Sequence, residues 1–345
     1  MRVIAHKAAK VKNLSANQTL TLISLLVFAV AIATLACASG SFDISLWAIV
    51  QGQASALENN VFMQIRVPRV LLSGFVGASL GLSGAALQGL FRNPLADPGL
   101  IGVSAGAALG AAIVIVLGSR FGVGATLGAF LLPMAAISGA ALVILLLYIL
   151  TSGFGYQGVT YMLLVGIAVN ALASVGIGIL TYISSDSELR GLTFWTMGSF
   201  GGVTWALLVP ALLLITAALL AMVPAARALD LLQLGEIEAS RLGIDVGRLR
   251  YRVIFAAAVA VGASVSLSGM IGFVGLVIPH LVRIVGGVHH CYLLPGSAMA
   301  GAGLMIAADL IARTVIQPAE LPVGLITSAI GSPFFLWLIF RMKKL

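Results

Sequence analysis

Apolar residues recur along this chain in blocks of roughly twenty, separated by short runs of Gly, Pro and charged residues. Stretches such as 20–38, 207–223 and 253–267 are nearly free of strongly polar side chains. They are too long for a soluble core, whereas a bilayer-spanning helix needs about 20 mainly apolar residues. Reading blocks against breakers predicts spans at 19–39, 66–86, 100–118, 125–149, 159–183, 203–223, 251–268, 273–286, 295–316 and 322–340. The expected fold is an all-α integral membrane protein of about ten transmembrane helices. A short segment 1–18 precedes the membrane domain 19–340, and a tail 341–345 follows it. The eighth block is short and is expected to begin inside the protein, after the Gly-rich turn 268–275. Irregular backbone at that depth has to be buried in protein or line a cavity.

Two segments between spans have a pattern of their own. Residues 186–200 (DSELRGLTFWTMGSF) are mildly amphipathic, with Phe194 and Trp195 suited to a membrane interface, and predict a short outer helix. Residues 229–252 are the longest polar stretch. Glu236, Glu238, Arg241 and Asp245 give it charge, Ile237, Leu242 and Ile244 keep one side apolar, and Gly235 and Gly243 divide it into short helical pieces.

Composition sharpens this picture. Hydrophobic residues make up 60% of the chain and charged ones 9%, against about 25% charged in soluble domains. The net charge of +8 does not indicate nucleic acid, because the basic residues lie between apolar blocks instead of forming one patch. An even span count puts both termini on one side. Of the 19 Lys and Arg, 14 then fall on that side and 5 (Arg66, Arg69, Arg120, Arg190, Arg313) on the other, so the termini are cytoplasmic. The basic stretch Arg2, Lys7, Lys10, Lys12 leads into an apolar run longer than a signal-peptide core, and is read as preceding a retained first span. Cys37 and Cys291 fall on opposite faces and read as unpaired thiols.

The chemistry is notable for what is missing. The chain has no Gly-x-x-x-x-Gly-Lys-Ser/Thr loop, no His-Glu-x-x-His and no Gly-x-Ser-x-Gly. Asp309 is the one acidic residue near a span centre, and Arg313 follows it by four, which reads as a mutually neutralising couple. An ion-coupled secondary transporter would need buried ionisable groups, and a membrane-embedded enzyme a cluster of them, so the energy for any transport is expected to come from elsewhere. Arg66 and Arg69, three apart at the outer mouth of the second span, share a helical face. In FRNPLADPG, Pro94 and Pro98 prevent a continuous helix and leave a tight cytoplasmic turn. His280 reads as a packing residue. His289 and His290, being adjacent, are expected to point apart and not to share a metal.

Taken together, five stretches resemble the FecCD-type permeases, the membrane subunits of ATP-binding-cassette importers for iron–siderophore chelates, haem and cobalamin. They are IRVPRVLLSGFVGASLGLSGAALQGLFRNPLADPGLIGVSAG at 65–106, LGEIEASRLGIDV at 234–246, SLSGMIGFVGLVIPHLVR at 266–283, LLPGSAMAGAGLMIAADLIAR at 293–313 and AELPVGLITSAIGSPFFLWLI at 319–339. The resemblance implies a cobalamin-permease-like fold and a homodimer in the bacterial inner membrane. It implies two cytoplasmic ATPase subunits that hold ATP-Mg, a periplasmic binding protein, and no cofactor or metal on this chain. The loop at about 229–250 would couple to the ATPase through Glu236, Glu238, Arg241, Leu242 and Gly243. Arg66, Arg69 and Arg313 would pair with carboxylates of the binding protein. Asn93 and Leu95, with Val159 and Thr160, would form the cytoplasmic gate. The form RNPLADPG is most like the haem permeases, which makes haem the first expectation, a ferric siderophore the second and cobalamin the third.

Overall fold

The computed structural model describes residues 14–40, 42, 44–118, 128–151, 158–316 and 319–342, and at 129, 158–160, 339, 341 and 342 the backbone alone. Every regular element among the described residues is helical. In chain order they are α1 (Ala16–Ala38), α2 (Leu46–Val50), α3 (Ala56–Val61), α4 (Val67–Phe91), α5 (Val103–Leu117), α6 (Leu131–Thr151), α7 (Gly158–Ile183) and α8 (Asp186–Met197). There follow α9 (Trp205–Met222), α10 (Ala226–Leu232), α11 (Glu236–Arg241), α12 (Val246–Ser268), α13 (Val274–Gly286), α14 (His290–Thr314) and α15 (Val323–Met342). Among the described residues seven helices are long and apolar enough to cross a bilayer, and the shorter apolar α5, α13 and α15 bring the total to the expected ten.

Local chemistry sets the ends. Ser15 caps α1 reciprocally with Gln18, each side chain taking the other's backbone N–H. Asp245 caps α12, its carboxylate accepting from Arg248 N at 2.9 Å. The second span departs from expectation. It runs to Phe91 instead of stopping near 86, and it continues upward through a π turn (Phe62–Arg66) into α3. Gln88 does not break it, because that side chain is buried and its amide donates to Gly275 O at 3.2 Å. The stop comes at Arg92, which takes the left-handed conformation (φ 51°) just before Asn93-Pro94.

Helix α4 is the central post. Of its most apolar 18-residue stretch 78% is buried, against 6% for α1 at the periphery. Lipid offers little hydrophobic drive between spans, so helices associate by close packing of small residues. A Cβ at Gly77 would collide with Gly301 O on α14, one at Gly81 with Ser297 O, and one at Gly84 with Gly275 O. These contacts draw α14 and the head of α13 onto α4. The short α13 starts after an irregular turn whose two ends, Ser268–Gly269 and Val274–Gly275, are buried while Gly272 at its middle is exposed, and in which Phe273 itself adopts φ 68°. Helix α8 forms as predicted, with Phe194 exposed and Trp195 packed on the core.

Candidate functional site

Three places gather the candidate residues. At the outer end, the last carbonyls of α1 have no partner within their own helix. Two arginines supply one: Arg66 donates to Cys37 O at 2.8 Å and to Ala38 O and Phe42 O, and Arg313 donates to Ala36 O. Arg69 goes elsewhere. Its Nε lies 3.0 Å from both oxygens of Asp309, its Nη2 2.9 Å from Oδ1, and its Nη1 2.8 Å from Glu320 Oε1. The shared face expected for Arg66 and Arg69 is therefore not used as one, since Arg66 sits in the wider π turn and the two guanidiniums address different helices. The expected Asp309–Arg313 couple is a loose one at 3.8 Å, because Arg69 takes the carboxylate first. All three arginines are buried and hold acceptors of the same chain. As docking contacts they would have to exchange those acceptors for a partner's. Arg69 is the best placed to do so, because it also lines an outward hollow of about 240 Å³ with Gln64 and residues 200–204.

At the inner end, Asn93 and Leu95 are exposed in the turn after α4, where Asn93 Oδ1 accepts Leu95 N at 2.9 Å. Asp97 closes the turn by accepting Gly99 N at 2.7 Å. Burial pushes its carboxyl above the usual carboxylate range, and that hydrogen bond offsets part of the shift. Asn170 of α7 donates to Gly99 O at 3.1 Å, so the turn is tied to the fifth span. Val159 and Thr160 lie in the first turn of that helix, and their side chains fall outside the described residues.

The third place is the polar loop. Helices α10 and α11 form as two short pieces, with positive φ at Gly235 (111°) and Gly243 (88°) where the sequence predicts breaks. Glu236 faces inward to Arg250 at 3.4 Å, whereas Glu238 and Arg241 make an exposed pair at 2.8 Å. Ala239 anchors α11 in the core. Around it Leu234, Ile237 and Leu242 stand 62%, 62% and 57% exposed, an apolar crest on the cytoplasmic side. Ile244, expected on the same apolar side, packs inward.

A connection from this crest to the turn after α4 was not legible in the sequence. Gln233, at the end of α10, donates to Gly89 O of α4 at 2.8 Å. Asp230 of α10 accepts His290 N at 2.9 Å and contacts His290 Nδ1 at 2.6 Å. His289 Nδ1 also approaches Asp230, at 3.8 Å, so the two histidines converge instead of diverging. The reason is that His289 is the extended N-cap of α14, off the helix proper. Burial works against ionisation of Asp230, but the hydrogen bonds from His290 outweigh it and hold the carboxyl below its ordinary range. No trio of His, Cys, Asp and Glu among the described residues is placed to hold a metal ion. His280 packs edge-on against Phe334, with ring centroids 6.0 Å apart.

Comparison with known proteins places the whole chain. Residues 22–341 match the FecCD transport family. The hemin transport system permease protein HmuU of Yersinia pestis is 43% identical over 324 residues, which covers 94% of this chain and 95% of that one. The vitamin B12 import system permease protein BtuC of Serratia proteamaculans is 39% identical, covering 93% of each. A solved structure described as an inward-facing conformation of a metal-chelate type ABC transporter superposes with a TM-score of 0.82 at 33% identity, over 93% of this chain and 98% of the other.

Proposed function

Because this chain belongs to the FecCD transport family, and is thus a multi-pass permease subunit of an ABC importer, we propose that it carries haem inward across the bacterial inner membrane by alternating access. One observation carries the mechanism. The exposed apolar crest is joined through α10 to the end of α4, and so to the cytoplasmic turn bearing Asn93 and Leu95. A partner ATPase that grips Leu234, Ile237 and Leu242 would pull on α10. The Gln233–Gly89 and Asp230–His290 bonds pass that motion to α4 and α14 together. The Asn170–Gly99 bond passes it on to α7.

In this reading two copies pack along α7. Its apolar 161–183 stretch is only 17% buried and presents Leu164, Leu172, Val175 and Tyr182 outward. The path between the copies would be largely neutral and would hold its cargo weakly enough to release it. ATP-Mg is bound by the two ATPase subunits, and a periplasmic binding protein delivers cargo to the outer face beside Arg69. Haem is favoured by the likeness to the Yersinia hemin permease. Cobalamin is the second reading, favoured by the Serratia relative, and a ferric siderophore is the third.

The test is uptake by proteoliposomes holding the permease, its ATPase and its binding protein, with haem, a ferric siderophore and cobalamin offered in competition. Preferential haem uptake is expected. Preferential uptake of another chelate keeps the importer and overturns the cargo.

A further inference from the structure

One hollow belongs to none of these places. It is an apolar groove of about 710 Å³ between α6 and α12, with Met162 of α7 at its edge. Ile144, Leu145, Phe255 and Ala258 form its walls, and Leu145 and Phe255 are more than half exposed. Its cytoplasmic rim carries Arg248 and Arg252, one turn apart on the same face of α12. Tyr148 and Tyr251 stand beside them, ring centroids 5.6 Å apart. Among the described residues no acidic side chain lines the groove. Arg248 reaches Asp245 at 3.3 Å outside it, and among the described residues no carboxylate pairs with Arg252.

Depth and charge identify the occupant. From Arg248 to Val259 the α12 wall rises about 16 Å at 1.5 Å per residue, close to half of the roughly 30 Å hydrocarbon core. One leaflet of acyl chain therefore fits along it, with a headgroup at the arginines and the tyrosine phenols at the interface level. Two cations without an acid between them favour an anionic headgroup. We propose that this groove is a binding site for one anionic phospholipid of the cytoplasmic leaflet.

The test is native mass spectrometry of the purified full-length chain, given equal phosphatidylglycerol and phosphatidylcholine of matched acyl chains. Wild type is expected to retain phosphatidylglycerol preferentially. The double variant R248Q/R252Q is expected to lose about fivefold of that preference per arginine, about 25-fold in all. Both positions are solvent-facing, so the variant is expected to fold. A photo-crosslinker at Phe255 in native membranes is expected to label phospholipid. Equal retention of the two lipids by wild type, an undiminished preference in the double variant, or a crosslink to a second copy of the chain would each overturn the assignment.

Discussion

Asp309→Asn asks whether the outer arginine cluster holds the fold. Asp309 is 1% exposed and takes three contacts from Arg69 at 2.9–3.0 Å, with Arg313 at 3.8 Å. The amide keeps the volume but not the charge. Arg69 would then keep Glu320, whose side chain is 47% exposed, and Arg313 would keep the Ala36 carbonyl. Removing one partner of a buried ion pair costs about 3–5 kcal/mol. The remaining Glu320 contact argues for the lower end, about 3 kcal/mol, which lowers a midpoint by about 4 °C for a chain of 345 residues. The assay is the fraction of detergent-solubilised chain that stays monodisperse after heating at a fixed rate, for wild type, D309N and the apolar double variant R69M/D309L. D309N should fall by that amount and the double variant should recover most of it, because well-packed apolar replacements of buried pairs are often neutral. A wild-type midpoint for D309N, or a double variant no better than the single one, refutes the reasoning and leaves Arg69 free for a docking role.

Other perturbations follow from the same geometry. Ile237→Glu on the exposed crest should change the midpoint little, since surface changes typically stay within about 0.5 kcal/mol. It should reduce transport-coupled ATP hydrolysis at least tenfold, because burying such a side chain contributes about 1.5–3 kcal/mol; a fully coupled variant counts against the crest. Gly84→Val drives a side chain into Gly275 O and should destabilise the chain by about 1–3 kcal/mol or more, seen as loss of monodisperse protein. The Asp230 contact depends on pH with a definite sign. The folded carboxyl titrates below its ordinary value, so its contribution is fully present above about pH 4 and is lost as pH falls through the depressed pKa. The difference in midpoint between wild type and D230N should accordingly narrow on acidification below that value, and a difference that widens would contradict the assignment.

Much of this architecture can be read from the chain because the bilayer imposes long apolar runs and a charge bias. The ten spans, the short buried start of α13 and the two-piece polar loop all follow from blocks, breakers and glycine positions. The span 67–91 overran its expected end because Gln88 looks polar in sequence but is satisfied across 187 residues by Gly275 O. The same limit hides the Asp230–His290 latch, whose partners are 60 residues apart with no local pattern joining them. The arginines were visible as residues but not as helix caps, since only the fold brings the end of α1 beside Arg66 and Arg313. Which of the loop's apolar residues face outward also depends on packing: Ala239 and Ile244 turn in, Ile237 and Leu242 out.

The most direct test of the central claim is the energy source. Proteoliposomes carrying this chain and its ATPase, with loaded binding protein outside, would be assayed for cargo accumulation with ATP, with a non-hydrolysable analogue, and without nucleotide. Accumulation that requires hydrolysis and stops when Ile237 and Leu242 are both replaced by Glu is the predicted result. Accumulation driven by an ion gradient in the absence of ATP would contradict it.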